Sequence, residues 1–325
     1  MLNVGVIGVG HLGKHHARIY SALDGVRLVG VADIVGERSA EIAGQFGTES
    51  FTDFEDLCGK IDAVSIAVPT EEHAWIGRRC LERGIDVLIE KPIASNPDDA
   101  RSLIDSAREG GRILQVGHVE RFNPVFRAAR KVATRPQFFE VHRLSVFSTR
   151  SLDIDVVLDL MIHDIDIVLC LVDRPVVEIR AVGIPVLSDK ADIANVRIEF
   201  ENGCVANLTA SRVSTDKVRK IRFFQPHDYV SLDYAAQEGS VLSLKGGRIT
   251  EQKLQPPHEE PLRAQLEAFV ACVEERGTPA VSGEDGLRAL EIALSINDEI
   301  QARGERTRRL ASASVGRAGG DKNTE

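Results

Sequence analysis

The sequence predicts a doubly wound parallel α/β unit followed by an α+β unit whose sheet is mostly antiparallel. Three observations carry that reading. Short apolar runs alternate with helical patterns up to about residue 118, as strands and crossover helices do in a parallel sheet. Beyond Arg121 the alternation stops and strand-like runs follow one another, with Asn202-Gly203 as a hairpin signal between two of them. A glycine-rich turn, Gly8-Val9-Gly10-His11-Leu12-Gly13, joins the first strand to the first helix.

Size and composition bound the rest. A chain of 325 residues exceeds what one ordinary core serves, so two domains are expected. With 43% hydrophobic and 27% charged residues it reads as globular, and its net charge of -9 would repel nucleic acid and anionic membranes, so no nucleic acid and no membrane are expected as partners. Any anionic substrate must be held by local Arg or Lys. The five cysteines (Cys58, Cys80, Cys170, Cys204, Cys272) are scattered and lack a C-x-x-C pair, so they read as free thiols in a reducing cytoplasm and not as a zinc site. The N-terminus lacks a signal-peptide pattern. The most hydrophobic later stretch, Val156 to Val172, is interrupted by Asp159, His163, Asp164 and Asp166, which excludes a membrane span.

Asn3 to Gly8 is the first strand, and Ala17, Ile19 and Leu23 carry the helix after the glycine turn. In that context G-x-G-x-x-G is a dinucleotide-binding pattern: Gly8 allows the tight turn, Gly10 admits a pyrophosphate to the backbone, and Gly13 lets helix pack on strand. The N-H groups around His11, Leu12 and Gly13 open the helix toward the phosphates. A second strand, Val26 to Ala32, ends at Asp33, where a carboxylate suits the ribose hydroxyls of NAD and repels the 2'-phosphate of NADP. Arg38 leaves NADP open, since a guanidinium there can stack on adenine, hold that phosphate or stay in water. Ala63 to Val68 leads to Pro69-Thr70 and a helix through His73. Val87 to Ile89 is a buried strand stopping at Glu90-Lys91-Pro92, so two charges sit at the end of a sheet, where open α/β sheets place ligands. Asn96-Pro97-Asp98-Asp99 starts a helix that runs to Gly110-Gly111. Ile113 to Val116 makes the sixth strand.

The second half starts with a helix over about Pro124 to Ala133 and a long strand-like run over Gln137 to Thr149. A helix over about Val156 to Leu171 follows, then strands near 176–182, 196–201, 204–211, 218–224 and 229–234. Leu262, Leu266, Phe269 and Val273, and then Leu287, Leu290, Leu294 and Ile300, keep helical spacing and read as core stripes. The domains expected are 1–120, 121–303, and a polar, frayed tail over 304–325.

Asp159, His163 and Asp166 fall at intervals of four and three, which on a regular helix shares one face. A carboxylate one turn before a histidine can fix its tautomer and raise its basicity, as a general base requires. A satisfied core histidine is the plainer reading, and a metal site lacks a second His or Cys nearby.

Taken together, the GVIGVGHLG start, Asp33, Pro69-Thr70 with His73, Glu90-Lys91-Pro92, and Asp159 with His163 resemble the Gfo/Idh/MocA oxidoreductases, the family of glucose-fructose oxidoreductase and inositol dehydrogenase. The resemblance runs to about residue 303. It implies a Rossmann domain and a second domain with a large open sheet used for homo-dimer or homo-tetramer contacts. It also implies hydride transfer between nicotinamide and a sugar or cyclitol carbon, with Pro69, Thr70, His73, Glu90 and Lys91 at the cofactor. By it, Lys91 stabilises the developing alkoxide and His163 takes the proton, with Asp159 orienting or relaying. The segment Gly117 to Pro124 is similar to that of the members acting on C3 of UDP-N-acetylglucosamine or its uronic acid, which would set His118, Arg121 and Asn123 at a UDP-sugar; a hinge charge is the plainer reading of Arg121. A free sugar or inositol is the alternative substrate. A non-catalytic dinucleotide-binding regulator is the alternative class, and it would have lost the Lys or the His.

Overall fold

The structure, a computed structural model, describes residues 1–147 and 154–318. Its contacts divide the chain into two units. The first comprises Met1–Val132, Ala236–Gly239 and Leu254–Glu291, and the second Ala133–Ala235, Ser240–Lys253 and Ile292–Glu325.

In the first unit, β1 (Leu2–Ile7), α1 (Gly13–Tyr20), β2 (Val26–Ala32), α2 (Gly36–Phe46), β3 (Glu49–Phe51), α3 (Phe54–Cys58), β4 (Ala63–Ile66), α4 (Thr70–Glu82), β5 (Asp86–Glu90), α5 (Pro97–Gly110) and β6 (Leu114–Gly117) follow in order. The six strands pair in parallel in the order β3-β2-β1-β4-β5-β6. Every residue of β4, β5 and β6 is buried, which is why these strands read as unbroken apolar runs and not as alternations. Strand order reverses between β1 and β4, so a crevice opens at their carboxyl ends, where the glycine turn lies. The sixth-strand count holds. Its unassigned member is β3, whose three residues are too few to show a period.

The expected domain boundaries shift. A turn of 3₁₀ helix (Val119–Phe122) and α6 (Pro124–Arg130) stay with the first unit, and so does α8 (Pro261–Glu275) from the far end of the chain. Leu266, Phe269, Val270 and Val273 of α8 join Val4, Val6, Ile19 and Tyr20 in one cluster. Leu266 and Phe269 are fully buried there, and each such side chain is worth roughly 1.5–3 kcal/mol over exposure. The helical stripe was legible, but its partner was not.

The second unit is built on β7 (Phe138–Val146), α7 (Ile162–Val172), β8 (Val176–Ile184), β9 (Ile193–Phe200), β10 (Val205–Ser214), β11 (Val218–Gln225), β12 (Asp228–Asp233), β13 (Glu238–Lys245) and β14 (Arg248–Leu254). They form one eight-stranded sheet in the order β14-β13-β12-β11-β7-β10-β9-β8. β7 and β10 pair in parallel, while β11 with β12, β11 with β7, β10 with β9 and β8 with β9 are antiparallel. Asn202-Gly203 turns β9 into β10 as expected, with Gly203 at a φ of +79° that favours glycine. One face buries Phe139, Val141, Ile198, Leu208 and Phe223. The other keeps partial exposure and carries an aromatic row, Phe138, Phe224 and Tyr229, with ring centroids 5.6 and 5.1 Å apart. The end of the run expected to reach Thr149 lies outside the described residues.

The chain closes with α9 (Gly283–Ala318), so the segment expected to fray from Gly304 is helical through Ala318. Its Ala, Arg and Glu residues are good helix formers with no proline among them. The buried stripe of α9 is Ala289, Leu290, Ala293 and Ile296, and Leu287, Leu294 and Ile300 are only half-buried beside it. Residues 319–325 lie outside the described residues.

Candidate active site

The glycine turn separates what the fold needs from what a ligand needs. Gly8 has a φ of +82°, and a Cβ there would stand 2.6 Å from the carbonyl oxygen of Ala67; a Cβ on Gly13 would run into the carbonyl oxygen of Gly8. Gly10 is different. No protein atom lies within 4 Å of the place its Cβ would take. The chain itself thus gives Gly10 no reason to lack a side chain, whereas a pyrophosphate lying on the backbone does. His11 and Leu12 are exposed on this turn, and α1 starts behind them without a capping side chain, the N-H groups of Lys14 and His15 being taken by the carbonyls of Gly10 and Leu12. The open cradle fits a dinucleotide phosphate.

At the tip of β2, Asp33 is buried and its carboxylate is already engaged. Its Oδ2 accepts from Val9 N at 3.0 Å, its Oδ1 accepts from Val35 N at 2.9 Å, and Arg38 reaches both oxygens at 3.2 Å. Asp33 therefore ties the glycine turn to the second strand. Arg38, with its side chain 47% exposed, is the carboxylate's partner here. Beside them Ile34 is 94% exposed. An apolar side chain this exposed beside the expected ribose-binding position suits the face of an adenine, and a single isoleucine after a strand carries no pattern in the sequence.

The Glu90-Lys91-Pro92 segment is where expectation and structure part. Lys91 is half-buried, and Pro92 follows it through a cis peptide. Glu90 does not face the crevice: it is buried, with its Oε1 3.1 Å from Nε2 of His16 on α1. Burial pushes the Glu90 carboxyl up, but the His16 hydrogen bond and nearby positive charge, Lys91 included, outweigh it and hold the group below its ordinary value. His73 likewise turns inward. Its Nδ1 meets the carbonyl oxygen of Pro92 at 2.8 Å and its Nε2 that of Val68 at 3.0 Å, so it staples the Lys91 loop to the end of β4 and offers no nitrogen to a cofactor. Pro69 is exposed and Thr70 half-buried at the start of α4, and both remain at the crevice.

Burial lowers the proton affinity of His73, and its two carbonyl contacts only partly offset this. On acidification the unfolded chain therefore binds the proton first. The contribution of His73 to stability is complete above the ordinary value near 6.5 and is lost as pH falls through the depressed one. Thermal denaturation followed by circular dichroism should show a midpoint that drops between pH 7 and pH 5 in the native chain and drops less in His73→Gln. An equal drop in both would remove His73 as the source.

The three residues expected at a UDP-sugar are also buried. Asn123 caps α6, its Oδ1 accepting from Val125 N at 3.2 Å, and its amide reaches Glu120 at 3.4 Å. Arg121, 8% exposed, pairs with Asp285 at 3.5 Å, and His118 is buried at the entrance to the 3₁₀ turn. Arg121 is thus a buried, paired charge and not a solvated one.

In the second unit the helix that carries His163 is not regular. A π-helical turn spans Val157–Met161 before α7 begins at Ile162, and the N-H of Ile162 reaches back to the carbonyl of Val157. Such turns widen a helix by one residue and recur at functional sites. They leave no mark in a hydropathy pattern, so spacing alone could not reveal this one. The expected common face divides: Asp166 is buried, whereas Asp159 and His163 are half-buried. Three fixed points hold the segment. Asp155 Oδ1 accepts from Val157 N and Leu158 N at 2.9 and 3.0 Å, while its Oδ2 accepts from Asn297 at 2.9 Å. Arg212 donates to the Ile154 carbonyl at 2.7 Å. Next to His163, Asp164 takes a bidentate ion pair from Arg143 of β7, at 2.7 and 2.8 Å, both groups buried. Sequence reading treated Asp164 as one more break in an apolar stretch. Its partner lies on another element and had no signature.

Among the described residues, no helix is long and apolar enough to cross a membrane, and no cluster of three or more His, Cys, Asp or Glu is suited to a metal ion. All five cysteines are free thiols.

The parallel sheet with its glycine turn, joined to a second sheet unit, defines a Rossmann-fold oxidoreductase of the dehydrogenase kind. A model described as the oxidoreductase family with an NAD-binding Rossmann fold matches residues 2–118, and that of the GFO/IDH/MocA C-terminal domain matches residues 115–225. The chain belongs to the Gfo/Idh/MocA oxidoreductase family. It is 36% identical to UDP-N-acetylglucosamine 3-dehydrogenase of Acidithiobacillus ferrooxidans over 93% of this chain and 98% of that one. A solved structure of that enzyme superposes with a TM-score of 0.89 at 35% identity, again over 93% and 98%. Inositol 2-dehydrogenase of Rhizobium meliloti is 29% identical over 89% of this chain and 94% of its own. A scyllo-inositol dehydrogenase from Lactobacillus casei, solved with NAD(H) and scyllo-inositol, shares the fold at 18% identity and a TM-score of 0.79, covering 93% and 98%.

Proposed function

We propose that this dehydrogenase uses NAD to oxidise C3 of UDP-N-acetylglucosamine, or of a closely related UDP-sugar, to the 3-keto sugar, for amino-sugar, lipid A or surface polysaccharide synthesis in the cytoplasm. The observation that carries the substrate is the 36% identity, along nearly the full length of both chains, to a UDP-N-acetylglucosamine 3-dehydrogenase. In this reading Lys91 hydrogen-bonds the reacting hydroxyl and favours its alkoxide, His163 takes the proton, and Asp159 orients the imidazole. A positioned base typically contributes about 10² to 10⁴ in rate, and a cation beside the oxygen adds electrostatic stabilisation. When bound, the nicotinamide supplies the acceptor for the hydride. The inositol dehydrogenase relatives favour a second reading, in which a free sugar or inositol is oxidised.

The test is NADH formation across UDP-N-acetylglucosamine, its uronic acid, free N-acetylglucosamine and myo-inositol. Turnover of the UDP-sugars alone supports the first reading. Turnover of inositol alone replaces it, and no turnover of either UDP-sugar removes it.

The preference for NAD rests on Asp33, whose carboxylate would repel a 2'-phosphate. Asp33→Ala should weaken NADH at least about tenfold, as loss of a charge-assisted hydrogen bond does, and narrow the gap to NADPH in fluorescence titrations. NADPH binding as tight as NADH in the native chain would overturn the preference. The half-exposed aromatic row of the second unit suits cover by a second copy, so a homo-dimer or homo-tetramer is expected in light scattering.

A further inference from the structure

Two of the five thiols touch. In the first unit Cys58 Sγ and Cys80 Sγ lie 3.7 Å apart and share a hydrogen bond, although 22 positions separate them in the chain. Cys58 is the last residue of α3, Cys80 lies near the end of α4, and both are buried. A buried cysteine is usually a small apolar packing residue. Cys204 and Cys272 fit that description, since burial pushes the Cys204 thiol up to about 11 and raises that of Cys272 as well. Cys58 goes the other way: the hydrogen bond with Cys80 holds its thiol below the ordinary value in spite of burial, and the Arg83 guanidinium adds to this.

The two helices are also held together around the sulfurs. Glu55 of α3 accepts from Arg79 of α4 at 3.2 and 3.1 Å and from Arg83 just past its end, and the rings of Phe54 and Trp75 meet edge-on with centroids 5.1 Å apart. The covering of Cys58 is slight. α3 is only five residues long, and Gly59 and Lys60, which follow it, are exposed, so opening of one short helix end uncovers the sulfur.

We propose that Cys58 and Cys80 are a redox-modification site, oxidised by hydrogen peroxide to a reversible disulfide that ties α3 to α4. The Cys58 thiolate attacks a peroxide oxygen and the O–O bond breaks, giving a sulfenic acid and a hydroxide that takes up the proton Cys58 released. The Cys80 sulfur then attacks the Cys58 sulfur. The S–O bond breaks, and the hydroxide that leaves carries off the Cys80 proton as water. Two thiols thus lose two electrons, and one peroxide becomes two waters. In a reducing compartment small thiols undo the bond, so it lasts only while oxidant is present. The bond acts on more than α3. His73 lies seven residues before Cys80, on the same face of α4, and holds the Pro92 carbonyl beside Lys91, so the disulfide anchors the helix that staples that loop.

The test uses the full, reduced chain. It is exposed to hydrogen peroxide at neutral pH while circular dichroism follows the fold, then unfolded, alkylated and mapped by mass spectrometry. The expected product carries one linked pair of peptides, Cys58 with Cys80, while Cys204 and Cys272 are alkylated as thiols; dithiothreitol restores the starting map. Cys80→Ser should stop at a Cys58 sulfenic acid that dimedone labels, and Cys58→Ser should leave Cys80 a thiol. Closing the loop between them should raise the thermal midpoint by about 5 °C. Thiols that peroxide leaves intact, linkage only in denaturant, a different partner for Cys58, or an oxidised chain that melts below the reduced one would each overturn the proposal. Should a serine variant fail to fold, the peptide map of the native chain decides alone. The readout needs neither cofactor nor sugar, so it stands apart from the choice of substrate.

Discussion

Lys91→Ala is expected to lower kcat by about a hundred- to a thousandfold, the usual consequence of removing a donor aimed at developing negative charge. NADH affinity should change little, since in the proposed reading the glycine turn and Asp33, not Lys91, meet the phosphate and ribose ends of the dinucleotide. His163→Asn should cost a comparable or larger factor, about 10² to 10⁴. The informative variant is the double one. If the ammonium and the imidazole serve the same proton transfer, removing both costs scarcely more than removing the more damaging one, as residues acting as a unit behave. Stopped-flow single turnovers on the two single variants and the double variant measure this. Losses that multiply would mean that Lys91 and His163 serve separate steps, and the mechanism proposed above would fail.

The second large effect separates two glycines that look alike in sequence. Gly13→Ala places a methyl group against the carbonyl group of Gly8, which is backbone and not a flexible side chain that could yield. A loss above about 4 kcal/mol, or no soluble protein, is expected from such a clash. Gly10→Ala meets nothing within the chain, so its thermal midpoint should match the native one while NADH affinity falls by a hundredfold or more, about 2.7 kcal/mol. Differential scanning calorimetry and NADH titration provide the two readouts. Full NADH affinity in a stable Gly10→Ala chain would deny that the pyrophosphate lies on this turn.

The first sheet was readable because its evidence is local: buried strands are continuous apolar runs, and a glycine turn between strand and helix has few uses. What could not be read was direction. Glu90 and Lys91 are neighbours at the end of β5, yet one side chain goes into the protein toward His16, and nothing in a one-dimensional string tells inward from outward at a strand's last residue. His73 fits the same pattern; its place in the motif was seen, but not that both its nitrogens are spent on carbonyls. Asp164 and α8 found partners far away in the chain, Arg143 and the face of the first sheet. The β13–β14 pair is another matter. Gly246-Gly247 between two short runs is a hairpin signal and could have been read.

The wide turn over Val157–Met161 has a consequence for how this site could be altered. It is one residue of surplus, so a chain shortened by one position there would close into an ordinary α-helix, with better-formed bonds. Everything upstream would then swing by about 100° relative to His163, the rotation of a single helical step, and Asp159 would lose its bearing on the imidazole. In the mechanism proposed above, the extra residue acts as a phase setting, giving up some helical regularity to fix the angle between Asp159 and His163. A deletion that melted higher yet left the enzyme idle would be its signature.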